Sequence, residues 1–286
     1  MIDLGLAHLT ALDLAPGALV PEAVRAGFRF VGLRVIPATV GGPAYPTWAG
    51  TDAHRSLKRL LAGEGMRLNE IEFVQLVPGV DIPALAGIFE AAADLGAVAV
   101  TASGDDNDPA RLTANFAELC DLAGQFSLRV DLEFMRWRAI GSLPQAEAIV
   151  REAGRANGAI LVDALHLHRS GGQPDDLIPI PAHHLRAVQI CDAVAQVPVD
   201  DAAIIAEARE GRLPPGEGAL PLGELLDALP ADATISVEMP LPALPVRARL
   251  ATAFNAARRL LDHRSRGSSR PNHRPQTGGA IQTRNA

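Results

Sequence analysis

The sequence predicts a (β/α)8 TIM barrel spanning residues 1–261. Three observations carry this expectation. Short apolar runs alternate with amphipathic, helix-like segments eight times along the chain. Eight such units fit the roughly 250 residues that a barrel of this kind takes. The first apolar run leads through Gly5-Leu6-Ala7-His8-Leu9, without the Gly-rich phosphate loop that would favour a doubly wound sheet.

The candidate strands are Ile2–His8, Phe28–Ile36, Leu68–Leu76, Ala97–Ala102, Leu128–Met135, Ala159–Ala164, Ala187–Cys191 and Thr234–Glu238. They are rich in Val, Ile and Leu, as strands buried on both faces are. Helix starts are signalled by Pro21 before Glu22, by Asp108-Pro109, and by Ser142 with Pro144; Pro suits the first helical turn, whose N–H groups lack partners anyway. Stops are signalled at Gly27, Gly63 and Gly124, because Gly readily takes the left-handed cap conformation. Residues 262–286 are polar, Pro/Gly-rich and aperiodic, and read as a flexible basic tail.

Composition narrows the function. Apolar residues make up 48% and charged residues 21% of the 286, an ordinary globular balance. No apolar stretch is long enough to span a membrane, and the start Met1-Ile2-Asp3-Leu4 has no signal-peptide pattern. Cys120 and Cys191 form no CxxC pair, so a reducing, cytoplasmic setting is expected. The net charge of −7 hides an asymmetry: residues 262–286 carry +4 and the rest −11. An acidic body argues against nucleic acid as a partner, since offsetting phosphate charge needs a basic face. Lys58 is the single lysine and lies in an amphipathic helical pattern facing solvent, which argues against Schiff-base chemistry.

Active sites of such barrels form at the C-terminal ends of the strands. Four successive strand ends each carry a polar residue in an apolar run: Leu132-Glu133-Phe134, Val162-Asp163-Ala164, Val188-Gln189-Ile190 and Val237-Glu238-Met239. Burying a carboxylate is costly unless it is paired or binds a metal. Glu133, Asp163, Gln189 and Glu238 make an oxygen-ligand set suited to one divalent ion, Mn2+ first, with Mg2+, Co2+ or Zn2+ as alternatives. The competing explanation is four separate buried ion pairs to arginines. An ion chelated by a substrate carbonyl and its neighbouring hydroxyl would acidify the adjacent C–H. Two carboxylates could then remove and return a proton through an enediolate, or the same enolate could expel water.

Leu132-Glu133, Asp163-Ala164-Leu165-His166, Gln189-Ile190-Cys191-Asp192, Pro215-Gly216-Glu217-Gly218 and Val237-Glu238 together resemble the xylose-isomerase-like barrel family. That family holds sugar isomerases and epimerases, inosose and 3-dehydroshikimate dehydratases, and endonuclease IV. The resemblance implies that Glu133 and Glu238 serve as an acid/base pair as well as metal ligands, and that His166 contacts substrate. Gln189 stands where many sugar epimerases have His, which is reminiscent of the dehydroshikimate-dehydratase branch. The catalytic Lys of true xylose isomerases is missing.

His8, Arg34, Glu72 and Arg212 are the expected substrate-binding residues. Arg34 could hold a carboxylate or phosphate with its planar fork, or neutralise Glu72. Tyr45, Trp48 and Trp137 could close over the pocket. His168 and Arg169 read as a solvated loop, with the phosphate end of a pocket as the alternative. The expected activity is a divalent-metal-dependent isomerase or epimerase of a small sugar or keto-polyol. The alternatives are a dehydratase of a cyclic keto-polyol, a barrel that binds without turnover, and a DNA-repair endonuclease, the last opposed by the acidic body. The expected partner is a small-molecule substrate, with a dimer or tetramer possible.

Overall fold

Each of the eight apolar runs becomes a strand. The computed structural model describes residues 2–39 and 41–267. Its strands are β1 (Gly5–Leu6), β2 (Phe30–Arg34), β3 (Arg67–Leu76), β4 (Ala99–Gly104), β5 (Arg129–Glu133), β6 (Gly158–Asp163), β7 (Leu185–Ile190) and β8 (Thr234–Val237). They pair in parallel, in sequence order, and β8 closes on β1 through Gly5↔Ser236 and Leu6↔Val237. The outer layer contains α1 (Pro16–Ala26), α2 (Asp52–Glu64), α3 (Ala86–Asp94), α4 (Pro109–Gly124), α5 (Leu143–Ala153), α6 (Ala164–Arg169), α7 (Asp201–Glu210), α8 (Leu222–Ala228) and α9 (Val246–Gly267). None of these helices is long and apolar enough to cross a membrane.

Several boundaries differ from expectation. β1 is only two residues long, because His8–Ala11 turns into a 3-10 helix. The closure survives: the Thr10 hydroxyl donates to the Val237 carbonyl at 3.0 Å and accepts from the Met239 N–H at 2.9 Å. α1 starts at Pro16, with Pro21 inside it. α2 passes Gly63 and ends at Gly65, whose φ of 63° supplies the left-handed cap. The expected start at Asp108 holds, its carboxylate accepting from the Ala110 and Arg111 N–H groups. α9 runs to Gly267, so the expected boundary at 261 falls inside a helix. Residues 268–286 of the expected tail lie outside the described residues.

The two faces of the strands bury different chemistry. Val100, Val130, Leu132, Val162, Val188 and Val237 belong to the apolar core that the helices cover. The alternate positions are polar and buried: Glu70 and Glu72, Thr101 and Ser103, Asp131 and Glu133. Period-two alternation puts each such pair on one face. Gly32 makes room for this lining, since a Cβ there would lie 2.5 Å from Glu70 Oε1. Near the N-terminal end of β5, Arg129 neutralises Asp131 through two bonds of 2.6 and 2.7 Å.

Glu70 has no arginine of its own. Burial, then the neighbouring Glu72, push its carboxyl up to about 8 against the amide of Asn69. In the folded chain it stays protonated where the unfolded chain has already ionised. The folded state therefore holds the extra proton, and this contribution to stability is lost as pH rises from the ordinary carboxylate range through about 8. The melting temperature of wild type should fall more steeply between pH 5 and 8 than that of Glu70→Gln, as scanning calorimetry would record; parallel profiles would contradict the assignment.

Candidate active site

The barrel brings the predicted residues to one mouth. Glu133 is the last residue of β5, Asp163 the last of β6, Gln189 the penultimate of β7, and Glu238 follows β8. Asp163 pairs in register with Gln189, and Gln189 with Ser236. Asp163 also caps α6: its Oδ1 accepts the His166 N–H at 2.9 Å. An Asp at a helix start satisfies a free N–H of the first turn, and here it also fixes the side chain three residues on. All five side chains are buried.

Their electrostatics are strained by burial. Desolvation, then the nearby charges of Glu238 and Asp163, hold the Glu133 carboxyl well above its usual range. Desolvation raises Glu238 to about 7, opposed by Arg212. Burial would raise Asp163 as well, but Arg212 and His166 outweigh it and lower it. Burial pushes His166 down to about 4, so the imidazole is neutral at pH 7. Among the described residues its Nδ1 has no hydrogen-bond partner, and neither does Gln189 Oε1. Glu133, Asp163 and His166 place one donor atom each within 4.8 Å of one another, a set that could hold a metal ion. The sequence places His166 among the catalytic residues, in contact with substrate, and not among the metal ligands. Glu238 stands outside that tight set, held by Arg212 Nη2 at 2.9 Å.

A small cleft opens above these residues. Glu133, His166 and Glu238 line it together with Arg34, Trp137 and Arg212. Trp137 packs edge-on against His166 at 5.1 Å, which fixes the imidazole plane.

Residues 20–261 match the family described as the xylose isomerase-like TIM barrel. The chain belongs to that family. Among solved members of this fold it is similar to the IolI protein with a bound zinc atom, at a TM-score of 0.75 and 19% identity, covering 92% of this chain and 99% of that one. It is also similar to AsbF of Bacillus anthracis, a probable 3-dehydroshikimate dehydratase, at 0.71 and 15%, covering 90% and 99%. An L-ribulose 3-epimerase superposes at 0.70 and 16%, covering 96% and 100%. A 3-dehydroshikimate dehydratase of Pseudomonas aeruginosa is 28% identical over 120 residues, which are 42% of this chain but only 18% of that protein.

Within this family member, the other expected substrate-binding residues divide. Arg34 lines the cleft, yet its Nε and Nη2 both bind Glu72 Oε2, at 2.8 and 2.6 Å. Glu72 is therefore a counter-ion to Arg34 and does not line the cleft. His8 does not line it either: its Nδ1 accepts the Arg34 N–H at 2.8 Å, and Nε2 lies 2.9 Å from the Leu14 carbonyl. Both ring nitrogens are spent on main chain, so His8 organises strand ends. Tyr45 stacks on His8 at 5.3 Å, and Trp48 is exposed on the outer layer. The solvated-loop expectation for Arg169 is overturned: it is buried and bonds Glu207 at 2.6 and 2.7 Å. Arg138 lines the cleft and was missed; it pairs with Asp105 at 2.5 Å, and its position five residues past β5 gives no periodic signal.

The Arg34–Glu72 pair is buried on both sides. Removing one partner strands the other without water. Glu72→Leu should cost roughly 3–5 kcal/mol in urea unfolding, while the double change Arg34→Met/Glu72→Leu should recover most of that. A double variant as unstable as the single one would show that the pair does not compensate in this way.

Proposed function

We propose that this protein is a divalent-metal-dependent isomerase or epimerase of a small sugar or keto-polyol. The observation that carries the reading is the pair of buried carboxyls, Glu133 and Glu238, lining one cleft with their proton affinities raised. Glu133, Asp163, Gln189 and Glu238 would hold the ion, with His166 close enough to join them. Gln189 Oε1 supports the fit: a buried amide oxygen without a partner is costly, and a cation would satisfy it. The oxygen-rich donors favour Mn2+ over thiol-seeking metals, and the zinc-bound IolI relative shows a divalent ion in the same fold.

When bound, the ion supplies polarisation of a substrate carbonyl and acidifies the C–H beside it. The chain's own groups do the rest. Glu238, with a proton affinity near neutrality, takes or returns the proton of that C–H. Glu133 approaches the same cleft from β5, three strands away, and holds the second proton. Loss of the C–H proton leaves an enediolate; return at the other face, or at the neighbouring carbon, completes epimerisation or isomerisation. Neutral His166, braced by Trp137, is placed to hydrogen-bond a substrate hydroxyl.

A second reading has its own support. Gln189 in β7 and the 28% identical stretch shared with a 3-dehydroshikimate dehydratase favour loss of water from a cyclic keto-polyol. Both reactions begin with the same proton abstraction, and the product separates them: dehydration creates a conjugated enone absorbing in the near ultraviolet.

The purified protein, reconstituted with Mn2+, should carry about one ion per chain by elemental analysis, and Glu238→Gln should lose it. With keto-sugars and keto-cyclitols in D2O, C–H exchange should require the ion and disappear in Glu133→Gln. A wild type that takes up no ion, or exchange indifferent to metal, would overturn the proposal. Protons compete for the same carboxylates, so Mn2+ affinity should weaken as pH falls through about 7; calorimetric titrations at pH 6 and 8 with equal affinities would contradict that role for Glu238.

A further inference from the structure

Arg212 was expected to reach the substrate. The structure puts it in the cleft wall, with its side chain 1% exposed and its donors committed to protein groups. Nη1 donates to Asp163 Oδ2 at 2.5 Å and to the Glu238 carbonyl at 3.3 Å. Nη2 lies 2.9 Å from Glu238 Oε2. Nε donates to the Ala208 carbonyl at 2.8 Å, on the last turn of α7. One guanidinium thus joins the ends of β6 and β8, and α7 holds it in place.

The bonds it leaves unmade are as informative. The second oxygen of Asp163 is taken by the His166 N–H, so both Asp163 oxygens are oriented. Among the described residues, Glu133 meets only His166 Nε2, at 3.8 Å, and Gln189 Oε1 has no partner. The fork therefore grips two of the four proposed ligands and leaves the other two unbound. Once ionised, Glu133, Asp163 and Glu238 exceed the charge of Arg212 by two, which is the charge of one divalent ion.

We propose that Arg212 is the positioning residue of the metal-binding set: it clamps Asp163 and Glu238 so that their remaining lone pairs, with Glu133 and Gln189, converge on one cation. This inference rests on the metal reading of the proposed function. A clamp and a mere counter-charge make opposite demands. A counter-charge repels an incoming cation, so its removal tightens metal binding. A clamp preorganises the ligands, and losing such an outer partner typically weakens binding by about 10–100-fold.

The test is calorimetric titration of the metal-stripped full chain with Mn2+ alone, comparing wild type, Arg212→Met and Arg212→Lys, with circular dichroism melts to show that each is folded. Arg212→Met should bind Mn2+ about 10–100-fold more weakly than wild type. Arg212→Lys, which keeps the charge without the two-pronged fork, should also bind more weakly. Unchanged or tighter binding in folded Arg212→Met would overturn the inference. If that variant does not fold, wild-type affinity in Arg212→Lys would overturn it. Failure of wild type itself to bind Mn2+ would instead remove the metal reading, and the clamp with it.

Discussion

Like charges crowded out of water are the constraint around which this mouth is built. Glu133, Asp163 and Glu238 are buried at neighbouring strand ends, where low dielectric magnifies their repulsion. A fold can relieve that repulsion with protons, with a resident cation, or with a bound ion. Here the first two are divided unevenly. Asp163 keeps its charge because Arg212 and His166 face it. Glu133 and Glu238 instead cling to protons. Two carboxyls with high proton affinity beside one with low affinity make an asymmetric site, and that asymmetry is what acid–base chemistry requires.

The rest of the barrel interior follows the opposite rule. Asp131 is matched by Arg129, and Glu72 by Arg34. Each pair is satisfied close to home and leaves no charge in need of a ligand. Glu70 escapes by staying protonated. Unbalanced acidity is thus confined to the C-terminal mouth, the end at which barrel loops can admit a ligand.

Much of this was legible in the chain. The run Ile160–Val162 is too apolar to be anything but buried, and the carboxylate of Asp163 at its end marks itself. The spacing of Asp163 and His166 was read only through the family resemblance; its physical reason, that the Asp caps the helical turn carrying the His, appears in the structure. What resisted reading was partnership across distance. Arg212 belongs to a Pro-rich stretch 49 residues from Asp163, and no periodicity links them. His8 looks like a pocket residue until the main-chain atoms that occupy both nitrogens are known. Helix boundaries failed at Pro21 and Gly63, where a local rule for one residue lost to the packing of the whole helix.

Asp192 closes the base of an excursion. Its N–H and carbonyl exchange bonds of 2.8 and 2.7 Å with Leu213, forming an isolated antiparallel bridge. Its carboxylate accepts the N–H groups of Gly216 and Leu220, both at 2.9 Å. Everything between leaves and rejoins the barrel at that neck, and α7 is tied back further by Arg169 on Glu207 and by its Ala208 carbonyl on Arg212. The entropy of such a loop grows only slowly with its length, so residues inserted or deleted within it leave the neck and the strand ends in register. Length changes in the stretch between Ala193 and α7 would therefore leave the neck, the strand ends and the Ala208 anchor of Arg212 where they are.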